Sequence, residues 1–147
     1  MRLGRPLAVA LALAVGALAG LGGYTFLYAR GYSYLSDDPA ACVNCHVMRD
    51  NYSGWIVSSH RNVTCNGCHT PHQLVPKYLV KAQNGFAHSF AFTFEDPQAI
   101  RIKAGSRGVV ESNCVACHEA TIAGTFLGTG PDEPGCPRCH PRAGHAL

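Results

Sequence analysis

Cys42-Val43-Asn44-Cys45-His46 is the first of four pentapeptides of one pattern, followed by Cys65-Asn66-Gly67-Cys68-His69, Cys114-Val115-Ala116-Cys117-His118 and Cys136-Pro137-Arg138-Cys139-His140. The chain has 147 residues and 8 cysteines, and these motifs use every cysteine. C-x-x-C-H is the attachment signature of a c-type haem: two thiols form thioethers to the porphyrin and the adjacent imidazole is placed to bind the iron. Cys42, Cys45, Cys65, Cys68, Cys114, Cys117, Cys136 and Cys139 therefore read as the covalent sites of four haems c. Zinc ribbons also pair C-x-x-C units, but zinc does not require a histidine after each second cysteine. Disulfides and thioredoxin-like redox pairs leave the repeated histidine equally unexplained.

Upstream of the first motif, Arg2 and Arg5 precede an uncharged run from Leu7 to Ala29. As a helix this run is roughly 35 Å long, enough to cross a hydrocarbon core of about 30 Å. Ala17-Leu18-Ala19 resembles a signal-peptide cleavage site, but the apolar stretch continues through Tyr24, Phe26, Leu27 and Tyr28, which favours an uncleaved anchor. The positive-inside rule then places the amino terminus in the cytoplasm, with Tyr24, Tyr28, Tyr32 and Tyr34 near the outer interface. The expected organisation is a cytoplasmic tip and single transmembrane anchor over 1–30, and a periplasmic haem domain over 31–147.

That second segment leaves too little chain per haem to build an ordinary hydrophobic core as well. Haem must be the core, and the low charged fraction of 14% fits side chains that line porphyrin or lipid. The formal charge of +3 is no sign of nucleic-acid binding, because haem propionates add negative charge.

The motifs fall into two pairs, giving two-haem units at about 40–72 and 112–147. Between them, Tyr78, Leu79, Ala82, Phe86 and Phe90 recur at helical spacing, predicting a helix over 77–94 that opens after Pro76 and closes before Pro97. Glycine and proline clusters such as Gly128-Thr129-Gly130-Pro131 mark loops, and only short helices are expected elsewhere. The fold class is mainly α with much irregular structure: one N-terminal transmembrane helix and a small cytochrome domain of short helices packed around haems.

Four irons have eight axial positions, and the motif histidines supply four. The remaining candidates are His60, His72, His88, His145 and Met48. Met48 lies two residues past His46, near enough to reach the same iron, and a thioether ligand raises a haem's potential. Spacing alone favours a packing role for it.

The stretch Trp55-x-x-Ser58-x-His60-x-x-Val63-x-Cys65-x-x-Cys68-His69-x-Pro71-His72, behind an anchor and a C-x-x-C-H-x-M motif, resembles the NapC/NirT family of membrane quinol dehydrogenases. The segment Lys81-Ala82-Gln83-Asn84-Gly85-Phe86 adds to the likeness, which runs from the anchor to His145. Within the family, the four-haem, short-chain layout is most similar to the small, quinol-oxidising subunit of cytochrome c nitrite reductase.

This resemblance implies Met48 rather than His46 as ligand of the first iron, and His69, His118 and His140 as ligands of the others. It implies that His60 is opposite His140 and His145 is opposite His118. The second haem would take its sixth ligand from a lysine of a catalytic multihaem nitrite reductase subunit, leaving His72 structural, though His72 is also the intrachain rival for that position. The resemblance further places a quinol site, for menaquinol, beside the first haem, with Lys81, Gln83 and His88 as its residues. Lys81 and His88 are seven apart and share one helix face; histidine can take a proton near neutral pH. The family carries an acidic residue near the position of His88. The implied function is electron transfer from quinol to a periplasmic reductase that makes ammonium from nitrite, in a membrane-bound hetero-oligomer. No substrate is expected to be reduced on this chain. Other readings are a quinol-oxidising donor to another reductase, such as nitrate reductase, and a free periplasmic electron carrier.

Overall fold

The computed structural model describes residues 4–95, 100–124 and 135–145. Arg2, Pro97 and the Gly128-Thr129-Gly130-Pro131 loop lie outside them. Among the described residues all regular structure is helical. The chain divides into two compact units, Met1–Ser33 and Tyr34–Leu147.

The first unit is helix α1, Arg5–Tyr28, with Pro6 in its first turn, where a missing N–H costs nothing. It is apolar all round rather than amphipathic, with a mean hydropathy of 2.0 over its best window and no buried residue. Such a helix has no polar face to give to water, and at about 36 Å it is long enough to span a bilayer. The Tyr24 and Tyr28 rings stack at 5.7 Å near its end. The helix stops where Arg30 turns to φ 51° and Gly31 follows. A Cβ on Gly31 would come within 2.4 Å of the Phe26 ring, so this exit requires glycine.

The second unit contains α2 (Pro39–Cys42), a 3₁₀ turn (His46–Met48), α3 (Arg49–Ile56), α4 (Cys65–His69), α5 (Leu74–Phe94), α6 (Ala104–Ile122) and α7 (Cys136–Cys139). Asp38 caps α2, accepting from the Ala40 N–H at 2.9 Å, and Thr64 caps α4, accepting from the Gly67 N–H at 3.1 Å. The predicted helix over 77–94 extends back to Leu74, because Pro76 sits in the first turn, where backbone donors are unsatisfied in any case. The expectation of only short helices elsewhere is corrected by α6, which has 19 residues. Gly105 and Gly108 weaken its helical signal, while the helix-compatible run from Val109 carries it through the third motif.

Burial in this unit is inverted. Among the described residues no apolar side chain is buried, whereas Ser58, Thr70, Lys81 and Asn113 are. Each of these is hydrogen-bonded, as buried polar groups must be. Asn113 donates from Nδ2 to the carbonyls of Cys68 (3.0 Å) and Thr70 (2.9 Å), joining α6 to α4. Thr70 Oγ1 donates to Asn66 O at 2.7 Å, and Asn66 Nδ2 reaches Ser36 O and Asp37 Oδ1. Polar cross-links thus hold the helices, and the apolar surface is left for something other than the chain itself.

Candidate haem-binding and electron-inlet site

The four motifs are held by different local devices. The first straddles the end of α2 and the 3₁₀ turn, which Met48 closes by donating its N–H to Cys45 O at 2.9 Å. The second forms α4, and the third lies inside α6. The fourth forms α7, whose first N–H, from Cys136, is taken by Glu111 Oε1 at 2.8 Å. Cysteines three apart on a helical turn present both thiols to one side. All eight thiols are unpaired. Neighbouring motifs meet through them: Cys42 shares a hydrogen bond with Cys65, Cys68 lies near Cys117, and Cys114 lies near both Cys68 and Cys136. The attachment points therefore follow one another in space in the order of the sequence. The Glu111 carboxylate, hydrogen-bonded to the Cys136 thiol, pushes that thiol up to about 11.

The residues fit covalent haem. The domain has unpaired thiols in the attachment pattern, apolar side chains that do not bury one another, and imidazoles set up as ligands. His60 donates Nδ1–H to Ala143 O at 2.9 Å, and His145 donates Nδ1–H to Asn51 O at 3.0 Å. A carbonyl can only accept, so both rings carry the proton on Nδ1 and keep the Nε2 lone pair for a metal, the usual arrangement of a ligating histidine. The His60 ring lies 5.9 Å from His118, and the His145 ring 6.1 Å from His69. The nearest rings differ from the pairs implied by resemblance, which set His60 against His140 and His145 against His118. His72 is engaged otherwise: its Nε2–H donates to Gly67 O at 3.0 Å. It borders a cleft of about 610 Å³ between Pro71, His72 and Gln73 on one side and Gly105, Gly108 and Ser112 of α6 on the other.

Trp55 and Ser58 belong to this site, and the sequence motif that contains them did not reveal their task. Trp55 Nε1–H is shared between His60 O (3.1 Å) and Val63 O (2.9 Å), and Ser58 Oγ accepts from the His60 N–H at 3.1 Å. Both fix the loop that carries His60.

On α5, Lys81 is 5% exposed, with Nζ on Asp37 Oδ1 at 2.8 Å and Ser36 O at 3.0 Å, and over the Tyr78 ring at 5.5 Å. Lys77 pairs with the other oxygen of Asp37. The Lys77 and Lys81 ammonium groups hold the Asp37 carboxyl well below the usual carboxylate range. His88, one face with Lys81, is exposed, and its Nδ1 lies 3.0 Å from the Tyr34 hydroxyl. Partial desolvation of the ring on its packed side, then the neighbouring Lys103, push the His88 imidazole down. Burial, then the nearby Cys45 and Cys42, push the Tyr34 phenol up to about 12. Tyr34 also lies over Gly85, where an added Cβ would meet its ring at 3.6 Å. Lys81, His88 and Tyr34 thus gather on the side of α5 that faces the first motif. Gln83 does not join them: two residues from Lys81 it is about 200° round the helix, on the outer face.

A membrane-spanning helix and a helical domain with haem-attachment motifs in place of a core define a membrane-anchored multihaem cytochrome c. The model of the NapC/NirT cytochrome c family, N-terminal region, matches residues 4–123, and the chain belongs to that family. Among curated proteins it is similar to the cytochrome c-type protein NrfH of Wolinella succinogenes, with 37% identity over 140 residues, covering 86% of this chain and 78% of that one. It is 33% identical over 119 residues to the cytochrome c nitrite reductase subunit NrfH of Nitratidesulfovibrio vulgaris, covering 80% and 72%. Its fold is similar to a chain of the crystal structure of the cytochrome c nitrite reductase NrfHA complex bound to the HQNO inhibitor, with a TM-score of 0.63, 29% identity, and 89% and 87% of the two chains covered.

Proposed function

We propose that this chain is the quinol-oxidising, electron-donating subunit of a cytochrome c nitrite reductase, carrying four haems c. The observation that carries the reading is the convergence of Lys81, His88 and Tyr34 on the first attachment motif. Relatives named as NrfH, and the likeness to the NrfHA complex, supply the partner: the multihaem catalytic subunit. In this reading the amino terminus is cytoplasmic, the haem domain lies outside the cytoplasmic membrane, and the donor is menaquinol.

When bound, the haems accept and pass on single electrons. The rest belongs to the chain. Lys81 spends two of its three N–H donors on Ser36 and Asp37, and the third is left for a quinol oxygen. Lys81 is a donor to Asp37 and would be one to the quinol, which it polarises rather than deprotonates. His88, paired through Nδ1 with the Tyr34 hydroxyl, presents Nε2 to accept the proton in the tautomer that carries its hydrogen on Nδ1. Tyr34, pushed up to about 12, does not ionise in the process. Oxidation of one quinol sends two electrons singly to the haems and two protons to the outer side, the first through His88.

At the first iron, Met48 would be the ligand, as the family resemblance implies. It closes the 3₁₀ turn that follows Cys45, donating its backbone N–H to Cys45 O at 2.9 Å. His69, His118, His140, His60 and His145 would hold the other irons. In the pairing that the family resemblance implies, with His145 on the iron of His118, the second would take a lysine from the catalytic subunit as its last ligand.

The test is reconstitution of the haem-loaded chain in liposomes with a menaquinol analogue. Haem reduction, and nitrite reduction only when the multihaem catalytic subunit is added, is the expected result. Reduction by dithionite but never by quinol would refute the donor role.

A further inference from the structure

The outer face of α5 is unusual for a surface helix. Phe86, Phe90 and Phe94 stack along it with ring centres 6.5 and 5.0 Å apart, and Phe86 and Phe94 are 76% and 73% exposed. Leu79, at 64%, continues the stripe towards the start of the helix. From Ala82 to Phe94 the helix carries no Asp, Glu, Lys or Arg. The first attachment motif lies on the opposite side of the helix, with Lys81, Gly85 and Tyr34. Beyond the helix, exposed Ile100 and Ile102 alternate with exposed Arg101 and Lys103.

We propose that α5 is an in-plane membrane helix: Leu79, Phe86, Phe90 and Phe94 sink into the boundary between headgroups and acyl chains, and Arg101 and Lys103 pair with lipid phosphates. Aromatic side chains with a basic margin are the composition such interfacial segments use. The chain's own α1 sets the domain to work beside a bilayer, so the lipid surface is the occupant at hand. Burying three phenylalanines and a leucine there removes their large apolar surface from water. The consequence is a helix with lipid on one face and the Lys81–His88 cluster on the other, which forms the sill over which a lipid-dissolved donor passes. The proposal does not depend on the donor's identity.

It is tested on the haem-loaded full chain in phosphatidylethanolamine–phosphatidylglycerol liposomes with a lipid-phase aryl diazirine, the label being mapped by peptide mass spectrometry. Label on the turns holding Phe86, Phe90 and Phe94, as on α1, with none on α6, is expected. In a Phe86→Glu/Phe90→Glu variant that keeps its haem absorbance, the α5 label is expected to be lost. Label confined to α1 in the unaltered protein, whether because water, a second copy or another protein covers α5, overturns the proposal. Label that persists on α5 in the double variant overturns it as well.

Discussion

Glu111 stands one helical turn before Cys114 and accepts a 2.8 Å hydrogen bond from the backbone N–H of Cys136, so one carboxylate links the third attachment motif to the fourth. Gly135 makes this possible: a Cβ there would fall within 2.4 Å of the Glu111 carboxylate. Gly135→Ala is expected to misplace α7 and reduce loading of the fourth haem, read by intact-mass spectrometry. Glu111→Gln keeps an acceptor oxygen and is expected to keep all four haems while raising the potential of at least one, read by spectropotentiometry. Equal haem loss in both variants would contradict this account.

Trp55 makes two hydrogen bonds to the loop of His60, and Trp55→Phe removes both while preserving an aromatic ring. The loss is expected to be about 1–3 kcal/mol of local stability. The readout is conversion of one low-spin haem to high spin, matching His60→Ala; an unchanged spectrum would deny the loop this role.

Asp37→Asn leaves Lys77 and Lys81 without their counter-charge. Quinol oxidation is expected to fall at least about tenfold, the effect of 1.4 kcal/mol, with dithionite reduction unaffected. The pH dependence has a definite sign. A carboxyl held below its ordinary value contributes stability in full above that ordinary value and loses it as pH falls through the lowered one. Thermal stability of the unaltered protein should therefore decline below about pH 4, and the Asp37→Asn variant should show a smaller decline.

His88 is expected to accept a proton only when neutral. Because its imidazole is pushed below the ordinary value, quinol oxidation should persist to a lower pH than an unperturbed histidine allows, and then fall. His88→Gln should abolish that acid limb, while Tyr34→Phe should move it. A profile unchanged in both variants would remove His88 from the proton path.

Met48→Ala is expected to alter the spectrum of one haem and stop quinol oxidation, whereas His46→Ala should leave that haem's iron ligation intact. The reverse pattern would make His46 the ligand.

Attachment chemistry was legible because it is local: five adjacent residues state it. The long helix around Lys81 was legible from apolar period, although Pro76 hid its first turn and Gly105 and Gly108 hid the length of α6. A family segment says nothing about which face each residue takes, and Gln83 lies on another face of α5 from Lys81 and His88. The tasks of Trp55, Asn113, Glu111 and Asp37 were invisible, since each acts on a backbone or side chain that lies 5 to 45 positions away in the chain. Histidine pairing has the same character, because it depends on how loops close in space.

The inverted burial has a consequence for how the molecule comes to exist. Among the described residues the buried side chains are polar and the apolar ones do not bury one another, so they gain little by collapsing on their own. Maturation and folding are then a single event: each thioether formed supplies the next piece of interior. The polypeptide is a mould that sets only around its pigment, and an unloaded copy should remain open to proteases, so that the cell keeps only finished wires.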